Sequence, residues 1–139
     1  MRALSLIFLL ALVGSATKPL PASSATPVEA DRLLAFQTAS PDMGVLVVTR
    51  DVGYIGSRCM RLFMVNGTPA ARFAAGETAT FHVPPGELLL RYATDPQGGG
   101  LCGRGDWTQR ERSISAGETK HFRLTLTGDA LPDNQRADS

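Results

Sequence analysis

The chain has 139 residues, with 14 basic and 13 acidic side chains and a formal net charge of +1. That length suits one ordinary domain, and a composition that is 43% hydrophobic and 19% charged suits a globular protein and argues against a disordered one. The basic residues are spread along the chain rather than gathered in a block, and no apolar run has the length of an ordinary transmembrane helix, so neither nucleic-acid binding nor a membrane span is predicted.

The N-terminus predicts an export signal. Arg2 precedes an apolar stretch of 11 residues (3–13), and small residues follow it. This layout is typical of a secretory signal peptide, which is removed from the mature protein. Residues 1–25 are therefore assigned to a signal peptide and leader, with cleavage after Ala16 or after Ala25. No cysteine follows the apolar run as a lipid acceptor, so we expect a soluble periplasmic or secreted protein.

Residues 26–43 are predicted to form a linker. Helix-forming residues dominate 29–38, where Leu33 and Phe36 supply apolar positions, and Pro41 would end a helix there. The sequence therefore predicts a short helix inside the linker.

A series of short strands is predicted beyond the linker. The segments are rich in β-branched and aromatic residues or alternate in polarity, and they lie at 44–50, 59–65, 70–73, 78–83, 88–92, 107–114 and 120–126. Asn66–Gly67 is a hairpin signal because both residues tolerate positive φ. The pattern predicts an all-β domain over residues 44–127, an antiparallel immunoglobulin-like sandwich of about seven strands, with a small closed barrel as the alternative. Residues 128–139 are expected to form a flexible tail.

One internal similarity links two of these strands. The segment Ala75–Val83 resembles Ala116–Leu124 at an offset of 41 residues, and each is a Gly-Glu turn that leads into a strand. Two copies do not make a solenoid, so we interpret them as similar turns within one sandwich.

The two cysteines predict a disulfide bond. Cys59 and Cys102 are the only cysteines, and both follow the export signal. In an oxidising compartment two thiols in a small domain normally pair. Their wide spacing, with no histidine nearby, fits neither a zinc site nor a redox-active pair.

Candidate catalytic groups are sparse. His82 and His121 alternate with aromatic neighbours and are expected on the outer face of the sandwich, where no third residue suggests a metal site. Asp95 and Asp106 flank a glycine-rich loop, and together with a histidine they would define a small hydrolase. No nucleophile elbow and no phosphate-binding loop is present. We therefore predict a non-enzymatic protein without a metal or cofactor, with a hydrolase as the alternative.

Two glycine-rich loops, 51–58 and 95–106, are the candidate binding region. Loops on a rigid sandwich commonly carry binding residues, and the disulfide would bring these two together. Tyr54, Arg104 and Trp107 are the candidate contact residues. The alternative is that the aromatic residues pack over the disulfide as a cap on the core, because buried and interface aromatics look alike in sequence.

Several short motifs are distributed along the predicted domain: Val-Thr-Arg-Asp-Val-Gly-Tyr-Ile-Gly-Ser-Arg-Cys (48–59), Val-Asn-Gly (65–67), Ala-Gly-Glu (75–77), Val-Pro-Pro-Gly-Glu (83–87), Gly-Leu-Cys (100–102) and Ala-Gly-Glu-Thr (116–119). Together they resemble those of a family of small, functionally uncharacterised exported proteins of Gram-negative bacteria that includes lipid-anchored members. The resemblance covers residues 44–126 and implies a β-sandwich in the cell envelope, without a known activity. The lipid-acceptor cysteine of the anchored members is missing here.

These observations together predict a non-enzymatic exported β-sandwich that binds a protein or a cell-envelope component. An adaptor that pairs through the edge of a sheet is a further alternative.

Overall fold

The computed structural model describes residues 22–52, 58–98, 102 and 107–125, which form two packed sheets. The strands are β1 (Thr26–Pro27), β2 (Gly44–Arg50), β3 (Arg61–Val65), β4 (Thr68–Phe73), β5 (Glu77–Val83), β6 (Gly86–Thr94), β7 (Thr108–Ile114) and β8 (Thr119–Leu124). Short 3₁₀ turns lie at Ala22–Ser24, Ala30–Arg32 and Pro96–Gly98. The first sheet has the strand order β1-β5-β2-β8 and the second β4-β3-β6-β7. The predicted all-β sandwich is confirmed, and β1 is an addition to the predicted strands.

The predicted signal sequence up to residue 21 and the predicted tail lie outside the described residues. Within the described ranges, none of the helical segments has the length and apolarity needed to cross a bilayer.

The core lies between the two sheets, because alternate residues of each strand point to the same face. Its largest fully buried side chains are Tyr92, Phe63, Phe73, Phe81, Phe122, Leu88, Leu90, Leu124, Val48, Val65 and Val83. Phe63 lies at the centre, with ring centroids 5.6 Å from Phe81 and 6.1 Å from Phe122 across the sandwich. Complete burial of one such side chain contributes about 2–3 kcal/mol, so these rings hold the two sheets together.

Most neighbouring strands are antiparallel, as predicted, but two pairs are parallel. β2 runs parallel to β8, with Val45 opposite Thr119, and β1 runs parallel to β5, with Thr26 opposite Glu77. Parallel pairs require a long connection, and both pairs join segments that are distant in the sequence.

The predicted hairpin at Asn66–Gly67 is present between β3 and β4. Asn66 has a φ of 49° and Gly67 a φ of 80°, as a two-residue turn of this kind requires. Asn66 also donates its N–H to the carbonyl of Leu89 at 2.8 Å and accepts the Leu89 N–H on its side-chain oxygen at 2.9 Å. The turn is therefore fixed to β6 as well as to its own strands.

The two similar Gly-Glu segments form the same turn at opposite ends of β2. Gly76 and Gly117 have φ values of 76° and 75°. The carboxylates of Glu77 and Glu118 each accept a backbone N–H from the residue three positions earlier, at 2.7 and 3.3 Å. The Gly76 N–H donates to the last carbonyl of β2 at 2.9 Å, and the Gly117 N–H to the carbonyl just before β2 at 3.0 Å. Similar sequence thus reflects a shared local turn, as interpreted.

The segment that was expected to be a linker contributes to the sandwich. It carries β1, and the predicted short helix is reduced to the 3₁₀ turn at Ala30–Arg32. The residue before that turn, Glu29, makes no side-chain cap, and an isolated helix of this length is unstable. Leu33 and Phe36 instead pack against the core, so contacts with the sheets override the local helix propensity.

Candidate functional site

The two predicted binding loops start and end at one end of the sandwich, which we call the disulfide end. There β2 and β6 finish and β3 and β7 begin, with Arg61 opposite Thr94 and Tyr92 opposite Thr108. Cys59 and Cys102 are bonded at this end, with sulfur atoms 2.05 Å apart and Cα atoms 5.3 Å apart. The predicted disulfide is therefore confirmed.

Of the three predicted contact residues, only Trp107 lies within the described part of the chain; Tyr54 and Arg104 lie outside it. Trp107 directly precedes β7, and 36% of its surface is exposed. The guanidinium carbon of Arg91, on β6, lies 4.8 Å from the centre of the indole ring. A cation–π contact of this kind contributes about 0.5–1 kcal/mol at an exposed site, so it orients the ring while leaving part of it open.

Leu62 and Met64, which we call the apolar strip, adjoin the Trp107–Arg91 pair on the outer face of the second sheet. Phe63 points into the core, so its neighbours Leu62 and Met64 point outward, and both are half-buried. Met64 lies opposite Arg91 across the β3–β6 pair. Leu62, Met64 and Arg91 therefore share one outer face of the second sheet, and Trp107 contacts that face through Arg91. Aromatic residues, methionine and arginine are enriched in protein–protein interfaces.

Asp95, one of the two candidate catalytic carboxylates, is held in a structural role. It is 5% exposed, and its Oδ2 lies 2.9 Å from Nε of Arg72. Its Oδ1 accepts the backbone N–H of Gln97 at 3.0 Å, which fixes the 3₁₀ turn at Pro96–Gly98. The other carboxylate, Asp106, lies outside the described residues.

The two histidines do not join Asp95. His82 lies beside Val45 and His121 beside Val47, so both are on the outer face of the first sheet and are separated by β2. Asp95 follows β6 in the second sheet, at the disulfide end. The arrangement on which a hydrolase depends is therefore not formed by these three residues. In the described ranges, no group of three or more His, Cys, Asp or Glu side chains could hold a metal ion.

Arg50, which the sequence interpretation did not single out, fixes the disulfide end from inside. Its side chain points into the sandwich and is 2% exposed. Its Nη1 donates to the carbonyls of Cys59 and Phe73, both at 2.7 Å. Burial, together with the nearby positive charge of Arg61, lowers the pKa of Arg50 to about 10, so it is still protonated at neutral pH. The cation thus ties the first cysteine to the end of β4.

Two ion pairs connect the elements around this end. Arg123 on β8 donates to Oδ1 of Asp51, just after β2, from Nη2 at 2.5 Å and Nε at 3.1 Å, and both residues are buried. Arg32 binds both carboxylate oxygens of Glu77, at 2.6 and 2.7 Å. Burial acts to raise the pKa of Glu77, but hydrogen bonds from Arg32 and the Ala74 N–H outweigh it and hold this pKa below its ordinary value.

Pairing through the edge of the second sheet is opposed by arginines on β7. Arg110 donates to the carbonyl of Gln109 at 2.9 Å, and Arg112 donates to the carbonyl of Glu111 at 2.8 Å. The guanidinium carbon of Arg112 also lies 5.7 Å from the ring centre of Phe122 in the core. Charged residues of this kind discourage a further strand from joining the sheet.

No protein-family model matches the chain, and a search of the curated proteins finds no match.

Proposed function

We propose that the protein is an exported, non-enzymatic β-sandwich that binds a protein or a cell-envelope component at the disulfide end. The supporting observation is the partly exposed Trp107, which is stacked with Arg91 beside an apolar strip. Trp and Arg are the residue types that most often dominate binding energy, since each offers a large contact surface together with polar groups. The two loops that carry Tyr54 and Arg104 start and end at the same end of the sandwich.

The export half of the proposal rests on two features. The chain begins with the charge and apolar pattern of a signal peptide, and Cys59 and Cys102 are paired. Disulfides persist in oxidising compartments and are rare in the cytosol. Intact mass of the protein recovered from its natural location, with and without reductant, tests this half. A shortened chain that gains two mass units on reduction is expected; an unprocessed chain with free thiols contradicts it.

The binding half is tested with alanine substitutions on and beside the surface. Trp107→Ala and Arg91→Ala, alone and together, should lower co-sedimentation with isolated cell envelopes or cross-linking to envelope proteins by about tenfold or more. Tyr54→Ala and Arg104→Ala should act in the same direction. Glu87→Ala is the matched control, because Glu87 is exposed on the same sheet but lies at the other end of β6, opposite Ser113.

All variants should keep the thermal midpoint of the native protein to within a few degrees, which separates loss of contact from loss of fold. Equal recovery of the control and the Trp107 variants would show that this surface does not bind. Loss of binding only in variants that also unfold would lead to the same conclusion.

A further inference from the structure

One segment closes an open side of the sandwich, and we call residues 26–37 the edge strap. Along the first sheet, Thr26 donates its N–H to the carbonyl of Gly76 at 3.0 Å, and Val28 donates to that of Thr78 at 2.9 Å. Farther along the same strand, the His82 N–H donates to the carbonyl of Phe36 at 2.8 Å. The strap therefore satisfies the outer edge of β5 at both of its ends.

Between these points the edge strap crosses to the second sheet. Leu33 forms a bridge with Ala71, and the Leu34 N–H donates to the carbonyl of Ala70 at 2.8 Å, both on β4. Val28 is 6% exposed, and Leu33 and Phe36 pack against the core. The strap thus fills a groove whose walls are the edges of β4 and β5 and whose floor is the core.

An ion pair that crosses this groove holds the strap in place. Arg32 on the strap binds both oxygens of Glu77 on β5 and also donates to the carbonyl of Arg72 on β4 at 3.1 Å. These contacts join residues far apart in the sequence, with a separation of 45 for the ion pair. The groove would make the same contacts with an identical strap from another chain.

The connection from the strap to β2 has the features of a hinge. Residues 38–42, which follow the strap, are exposed. A short exposed connection of this kind favours exchange of the segment between copies, because the connection can extend while the strap keeps its contacts.

We propose that a second copy of this chain can donate its edge strap to the groove between β4 and β5, so that two copies exchange straps and form a dimer. Every hydrogen bond and ion pair of the strap is kept in the exchanged form, and only the hinge changes. The loss of translational freedom opposes the dimer, so exchange requires raised concentration and partial opening of the strap. This inference is independent of the binding surface at Trp107.

Charge reversal across the ion pair gives a direct test. Arg32→Glu alone places two carboxylates together in the groove, and Glu77→Arg alone places two guanidinium groups there. Each variant should be a monomer whose thermal midpoint is lower by about 10 °C. In a mixture, strap exchange pairs opposite charges in both grooves, so a heterodimer with a midpoint near that of the native protein is expected.

A mixture that remains two monomers, each with its own lowered midpoint, would overturn the proposal. A heterodimer in which the midpoints stay low would also overturn it, because the contact would then lie elsewhere. Wild type mixed with Arg32→Glu is the matched control, since exchange there leaves one groove with like charges and should not restore the midpoint.

A second measurement decides the question if the charge-reversed chains do not fold. Two wild-type populations of different isotopic mass, with their disulfides intact, are mixed at high concentration, held briefly in urea near the unfolding midpoint, and returned to buffer. Mixed-mass dimers that persist on dilution are expected, because separation requires the straps to open again. Only monomers, or dimers that dissociate at once on dilution, would refute strap exchange.

Discussion

The carboxylate of Glu77 allows a matched test of the strap ion pair, because the same turn recurs at Glu118. Both carboxylates cap their turns, but only Glu77 binds a guanidinium, and its side chain is 10% exposed against 41% for Glu118. Removing one partner of a buried pair costs about 3–5 kcal/mol. Arg32 is 16% exposed, which lessens the penalty. We expect Glu77→Gln to lower the free energy of unfolding by about 2–3 kcal/mol.

Urea denaturation of both glutamine variants measures this difference. Glu118→Gln keeps a side-chain oxygen that can accept the Ser115 N–H and removes only a weak ion pair with Lys120 at 3.8 Å, so its loss should be below about 1 kcal/mol. Equal losses for the two variants would refute the reasoning, since the cost would then come from the turns and not from Arg32.

The same carboxylate sets a pH dependence whose sign follows from its pKa. The folded-state pKa of Glu77 lies below the ordinary value of 4.5, because hydrogen bonds from Arg32 favour the charged form. Its contribution is therefore complete above that ordinary value and disappears as the pH falls through the folded-state pKa. The stability difference between wild type and Glu77→Gln should narrow as the pH falls below about 4.5; a constant difference down to strongly acidic pH would contradict this.

Two further substitutions and one treatment test the packing of the sandwich and its covalent link. Arg50→Met removes the donor from the buried carbonyl of Phe73 and from the partly buried carbonyl of Cys59, and should lower the free energy of unfolding by about 2–4 kcal/mol in urea titrations; an unchanged midpoint would contradict the role of Arg50. Gly44→Ala places a Cβ 2.8 Å from Cδ1 of Ile114, so overpacking should cost about 1–3 kcal/mol by the same assay. Reducing Cys59–Cys102, which are separated by 43 residues, should lower stability by about 4 kcal/mol, and thermal melts with and without reductant measure it.

The sequence was most informative where a few adjacent residues decide the structure. Asn66 and Gly67 specify their turn because both accept positive φ, and no distant residue is needed. The strands were visible for a similar reason, since alternating or β-branched runs need one buried face. The cysteine pair was predicted from the number of cysteines and the predicted compartment alone.

The edge strap could not be predicted because its structure depends on distant partners. Leu33 and Phe36 have a spacing that fits a short helix, and only the edges of β4 and β5 hold them in an extended path. In the sequence, Arg32 cannot be distinguished from an exposed cation, because its partner Glu77 lies 45 residues away. Tertiary contacts of this kind override local propensity.

The buried cation was predictable in principle. Strict alternation along β2 places Arg50 on the same face as Leu46 and Val48, both of which are core residues. The sequence interpretation ended the strand at Arg50 and did not assign its side chain to the core. Its partners are backbone carbonyls, which carry no signal in the sequence, so the chemistry of the site became visible only in three dimensions.

The repeated turns have a consequence for how the domain opens. β2 lies between β5 and β8 and is hydrogen-bonded to both. The Gly76 N–H binds the carbonyl of the last residue of β2, and the Gly117 N–H binds the carbonyl just before its first residue, so both ends of β2 are held against fraying. The amide protons of β2 can exchange with solvent deuterium only when the surrounding sheet separates. Their exchange therefore reports global rather than local unfolding. Residues that line β2 are therefore the last to lose protection, whichever loop or terminus moves first.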